Sequence, residues 1–136
     1  MRNGRKTQIV WLSIAVGATT AILALFYFAY EYVRDDTYGI SEGKVYCQKV
    51  VRILFKDEAV EKIEVSKVDI GDGGWIYVFL NVSRKRSGPA RVRCEYEKPC
   101  GATMELVVDG KPTGLKKLIQ INTLISGGKD NWRSCS

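Results

Sequence analysis

The chain has 136 residues, 46% of them apolar and 26% charged, with a formal net charge of +6. That is room for one ordinary domain plus an anchor, apolar enough for a packed core and too mildly basic for a nucleic-acid footprint. Histidine is absent, which excludes His-based acid–base catalysis, Ser–His and Cys–His nucleophile pairs and His-ligated metals within this chain.

The first predicted element is a membrane helix. From Thr7 to Tyr30 no residue is charged, and ten of these 24 residues are Ile, Val, Leu or Phe; about 20 suffice to cross a hydrocarbon core. Trp11 lies near one end and Phe26, Tyr27, Phe28, Tyr30 and Tyr32 crowd the other, the pattern of interfacial aromatic belts. A cleaved signal peptide has a shorter apolar core and a small-residue cleavage site, whereas this segment ends in Phe-Ala-Tyr-Glu-Tyr. The expectation is an uncleaved signal anchor, with a tail at residues 1–7, the helix at 8–32, a linker at 33–40 and a folded domain at 41–136. Ser13, Gly17 and Ala21 recur every four residues and form a smooth stripe on which another membrane helix can pack. Arg2, Arg5 and Lys6 precede the helix, while Glu31, Arg34, Asp35 and Asp36 follow it, with Lys44 and Lys49 diluting the bias further on. The positive-inside rule therefore puts the N-terminus in the cytoplasm and the domain in the periplasm of a cell with an inner membrane.

Beyond the linker, Ser41 is placed to cap a helix starting at Glu42, with Ile40 and Val45 as a hydrophobic staple. Cys47, Val50, Val51 and Leu54 give that helix one apolar stripe ending near Lys56. Strands are expected at residues 60–70, 75–82, 90–97 and 103–108, with a bulge near Ser66–Lys67 where the apolar parity changes. Pairing Val82 with Val92, Leu80 with Cys94, Val78 with Tyr96, Tyr96 with Met104, Cys94 with Leu106 and Ile70 with Ile76 makes one face of the meander continuously apolar. Thr113 is placed to cap a last helix from Leu115 to Ser126, closed by Gly127, with Leu118, Ile121, Leu124 and Ile125 inward. The fold class expected is α+β: a transmembrane helix, then a four-stranded antiparallel meander with one helix before it and one after.

Four cysteines, Cys47, Cys94, Cys100 and Cys135, allow three pairings, and none has Cys-x-x-Cys spacing. Cys47 faces the sheet and Cys94 faces the helix, so a Cys47–Cys94 bridge is preferred, leaving Cys100–Cys135 to pin the tail. Disulfides imply an oxidising compartment. The Asp-Ile-Gly-Asp-Gly-Gly run from Asp69 to Gly74 lacks the ligands of a calcium loop and opens no helix, so it reads as a plain turn. Ser41 with a lysine is a remote candidate for Ser–Lys hydrolysis. Asn81-Val82-Ser83 is a glycosylation sequon inside a strand. Arg84-Lys85-Arg86 reads as a solvated hairpin tip.

The second face of the sheet carries Trp75, Tyr77 and Phe79 in one strand, with Arg93 beside them. Large aromatics and arginine dominate interface energetics, so these residues are candidate partner contacts unless the last helix covers them. The function expected is a non-catalytic accessory or scaffold subunit of an inner-membrane protein assembly. The alternative is a module binding an extracytoplasmic ligand such as cell-wall glycan or peptide. No cofactor, metal or nucleic acid is expected; the bilayer and other membrane subunits are the expected partners.

Overall fold

The computed structural model describes residues 2–128. The chain divides into two units, Met1–Asp35 and Asp36–Ser136. The first is one helix, α1 (Arg2–Tyr38), which runs on into the second unit. Within it Gly4–Asp35 is long and apolar enough to cross a membrane; 32 helical residues extend about 48 Å. Three of its hydroxyls are satisfied within the helix: Ser13, Thr19 and Thr20 donate to the carbonyls four residues back, at 2.8–2.9 Å. Side chains paired in this way do not oppose transfer into hydrocarbon.

The expected linker is not extended. Residues 33–38 are helical, and the chain turns only at Gly39, whose φ of 65° is left-handed. A Cβ there would press on the Lys98 side chain at 3.1 Å, so both conformation and space select glycine. The next helix, α2, spans Ile40–Leu54. Its N-cap is Gly39 rather than Ser41, with no side-chain cap bond. Ser41 is an exposed residue of the first turn, and Val45 is exposed, so no staple joins it to the buried Ile40.

Five strands follow, not four: β1 (Val60–Ile70), β2 (Ile76–Arg84), β3 (Ala90–Glu97), β4 (Ala102–Val108) and β5 (Lys111–Pro112). They form one antiparallel sheet in sequential order. The fifth strand is two residues long and arises from the turn before it: Asp109 and Gly110 have φ of 49° and 79°. Two adjacent positive φ values match a tight hairpin turn that returns the chain alongside β4. The bulge in β1 falls between Val65 and Lys67, as expected, and Ile70 pairs with Ile76. The register between β2 and β3 differs from expectation by two residues: Val82 faces Ala90, Leu80 faces Val92, Val78 faces Cys94 and Ile76 faces Tyr96. Cys94 faces Leu106 as expected, but a bulge after Glu95 sets Thr103, not Met104, opposite Tyr96.

The last helix, α3 (Leu115–Ile125), is capped by Gly114 rather than Thr113 and is closed by Gly127 at φ 65°. Its buried stripe is Leu118, Ile121 and Asn122, while Leu124 is 66% exposed. Both helices pack on the same face of the sheet. Cys47, Val50 and Val51 of α2 and Leu118 and Ile121 of α3 share one core with Ile76, Val78, Leu80, Val92 and Leu106. Gly43 allows the close approach of α2: a Cβ there would collide with Ile76 Cδ1 and lie 2.8 Å from Tyr96 Cδ1. Ile76 is itself fully buried and has nowhere to yield.

The Cys47–Cys94 disulfide ties α2 to β3, with Cα atoms 6.0 Å apart. Cys100 is buried in the turn before β4; its expected partner Cys135 lies outside the described residues.

At the other side of the core Tyr46 donates to Asn122 Oδ1 at 2.8 Å, and its ring lies 5.3 Å from that of Tyr96. Burial pushes both phenols up from 10.0 to about 12, with Tyr96 adding to the shift of Tyr46 and Glu42 to that of Tyr96. Between pH 10 and 12 the unfolded chain has therefore lost tyrosine protons that the folded chain keeps. The stability these phenols contribute is complete below pH 10 and is lost as pH rises to 12. We expect thermal unfolding of the full chain in detergent to fall in midpoint across that window, with two late-titrating tyrosines in the phenolate absorbance. An unchanged midpoint and uniform titration would contradict this packing.

Candidate functional site

The packing of both helices on one side leaves the other side of the sheet without a helical cover among the described residues. In β2 the buried Ile76, Val78 and Leu80 alternate with half-buried Tyr77 and Phe79, which point to this open face. Register then assigns their neighbours. Asp69 of β1 and Glu95 of β3 flank Tyr77; Lys67 and Arg93 flank Phe79; Glu64 and Arg91 flank Asn81. From β4, Glu105 lies beside Glu95 and Val107 beside Arg93.

The face is ordered by specific contacts. Arg93 bonds to Glu105 at 2.9 Å and holds its guanidinium 5.6 Å from the Tyr77 ring centroid. Lys67 pairs with Asp69 at 2.7 Å and lies 5.8 Å from the Phe79 centroid. Burial, then the nearby Glu105 carboxylate, raise the pKa of Glu95, against the lowering effect of Arg93. Charge is thus unevenly spread. Asp69, Glu95 and Glu105 gather at the Tyr77 end, and Lys67, Arg93 and Arg91 toward Phe79 and Asn81, where the one acid in register, Glu64, is paired with Lys62.

Trp75 belongs to the turn before β2, not to the strand. Its indole Nε1 donates to Tyr77 Oη at 2.9 Å. A Cβ on Gly71 or Gly73 would run into the indole ring, so these glycines make room for it. The Gly-Asp-Gly-Gly run seats an aromatic side chain of the open face.

The structure thus brings Trp75, Tyr77, Phe79 and Arg93 together. Ser13, Gly17 and Ala21 lie exposed at successive turns of α1, and a Cβ on Gly17 would meet nothing within 4 Å. Arg84 differs from its expected role at a solvated tip. It bonds Glu58 at 2.7 Å and the Gly88 carbonyl at 2.9 Å, and lies 4.8 Å from the Phe55 centroid. The hydrogen bond from Arg84 lowers the pKa of the Glu58 carboxyl. Lys85 and Arg86 do form the exposed tip. Val107 and Glu105 lie on this face as their parity along β4 predicts, whereas Arg91 escaped the sequence reading, although its parity with Arg93 along β3 was the available signal.

No protein-family model, curated protein or solved structure matches the chain.

Proposed function

We propose that the chain is a single-pass inner-membrane protein, N-terminus cytoplasmic and domain periplasmic, acting as a non-catalytic accessory or scaffold subunit of a membrane protein assembly. The observation that carries this reading is the open sheet face, where Trp75, Tyr77, Phe79 and Arg93 stand together uncovered by either helix. Aromatics and arginine on a rigid sheet are the composition of an interface core. The charge asymmetry across α1 supports the orientation, and the Cys47–Cys94 bond supports an oxidising compartment for the domain. The small-residue stripe of α1 supplies a second contact surface within the bilayer.

The test is co-purification of the full-length protein from native membranes in mild detergent. A co-migrating membrane subunit is expected, weakened in Phe79→Ala by roughly 2 kcal/mol of binding. A protein that always migrates alone would overturn the reading. A ligand-binding module for cell-wall glycan or peptide is the second reading, favoured by the groove beside Phe79. Retention of the full chain on isolated cell-wall glycan, lost in Tyr77→Ala, would select it instead.

A further inference from the structure

We propose that the groove across the open face recognises a carboxylate-bearing peptide segment of a partner protein, with Arg91 pairing the acid and Phe79 and Val107 as the apolar floor. The proposal rests on the protein-contact reading of this face and names the chemistry of what it contacts. Ser66, Phe79, Asn81, Arg91, Arg93 and Val107 line the groove, which encloses about 460 Å³. It crosses the sheet from β1 to β4, three inter-strand steps or about 14 Å, the span of roughly four extended residues.

Its charged lining is cationic only, and the cations of this face are not equivalent. Arg93 is neutralised by Glu105, Lys67 by Asp69 and Lys62 by Glu64. Arg91 is exposed and enters no ion pair among the described residues, although its backbone N–H is held by Asp109 Oδ1 at 2.9 Å. The backbone is therefore fixed while the guanidinium is left over. Asn81 is its register partner on β2 and is exposed on the same face. A carboxylate placed between them meets a planar fork of donors and an amide N–H together.

Glu95 and Glu105 stand side by side at the Tyr77 end, where they repel a further carboxylate, while Glu64 beside Asn81 is paired with Lys62 and Asp109 accepts the Arg91 backbone N–H. An acidic group is thereby directed to the Arg91 end. An apolar neighbour in the same segment finds Phe79 and Val107, both only partly exposed. A lipid surface fits this site less well, since headgroup attraction needs several clustered cations and here one uncompensated cation sits beside an apolar recess.

The test is an NMR titration of the full chain in detergent micelles with the blocked tetrapeptide Glu-Leu-Glu-Leu, its Gln-Leu-Gln-Leu and Lys-Leu-Lys-Leu counterparts, and phosphatidylglycerol bicelles. The acidic peptide is expected to shift the resonances of Phe79, Asn81, Arg91 and Val107. Arg91→Gln should weaken it about tenfold, the loss of one charge-assisted hydrogen bond, while Arg86→Gln at the exposed hairpin tip leaves it unchanged. The absence of shifts, equal shifts from the Gln peptide, an unchanged affinity in Arg91→Gln, or shifts from bicelles alone would each overturn the assignment. A native subunit that co-purifies equally with wild type and Arg91→Gln, with no peptide binding, would sink the groove and leave the scaffold reading standing. Peptide binding by a protein with no native partner would do the reverse.

Discussion

Replacing both bridged cysteines, Cys47→Ala with Cys94→Ala, is expected to remove about 4 kcal/mol of stability and to lower the unfolding midpoint by on the order of 20 °C. The bond closes a loop with a sequence separation of 47. In the chain-entropy view, a loop of that length confines the unfolded ensemble more than any single packed side chain does. The alternative origin of stability is the apolar contact of α2 on the sheet, which two alanines largely preserve because cysteine is small. Thermal unfolding of the full chain in detergent separates the two: a midpoint within a few degrees of wild type assigns the stability to packing alone. The same bond bears on compartment. Thiol labelling of the protein in native membranes should find Cys47 and Cys94 blocked until reductant is added, and free thiols there would undo the periplasmic placement of the domain.

The elements whose physics is local were legible in the sequence, and the joints between them were not. A period of two in β2 and β3 and the β-branched parity change at Ser66–Lys67 state strand and bulge directly. Alternation is silent about register, because a shift of two residues leaves every side chain on its own face. That is how Val82 came to be matched with Val92 when it faces Ala90. The hairpin geometry decides between the two registers, and Arg84, bonded to Glu58 and Gly88, holds it there. Both helix caps were misplaced for a related reason. Ser41 and Thr113 are good capping side chains, but at each helix start the N-cap is glycine, Gly39 and Gly114.

The candidate site was legible as a row of side chains and not as a surface. Trp75, Tyr77 and Phe79 share parity, which any strand reading reveals. Whether they stay open depends on where α3 lands, and α3 is steered by a polar residue. Leu118, Ile121, Asn122 and Ile125 follow the i, i+3, i+4, i+7 spacing of a buried stripe. Reading Leu124 as the inward residue passed over Asn122, because an amide is expected outside. The bulge after Glu95 had the same cause: it turns Thr103 inward against the alternation of Met104, Leu106 and Val108. Two polar residues, each unexpected alone, are explained by each other.

Asn122→Leu is therefore expected to destabilise the fold by about 3 kcal/mol, although leucine branches at the same carbon and is more apolar. The Asn122 amide is 1% exposed. Its Oδ1 accepts from the Thr103 N–H at 3.2 Å and from the Tyr46 hydroxyl at 2.8 Å, and its Nδ2 donates to the Thr103 carbonyl at 2.7 Å. It thus pairs with both backbone groups of one β4 residue, as a neighbouring strand would, and closes that edge of the sheet where β5 is too short to reach. Leucine adds hydrophobic burial of at most 1.5–3 kcal/mol but strands three buried groups at about 1–3 kcal/mol each, so the penalty wins. Asn122→Asp separates hydrogen bonding from packing. The ionised carboxylate has no proton to donate to the Thr103 carbonyl, whereas the protonated acid does. Burial raises the pKa of such a carboxyl, so this variant should recover stability relative to wild type as pH falls and lose it as pH rises through the folded-state value. Release of α3 would also leave the Thr103 backbone groups unpaired at a strand edge, and sheet-edge association should follow. An Asn122→Leu protein as stable and as monodisperse as wild type would show that α3 is held by apolar contact alone, and the open face would then owe its exposure to something other than this amide.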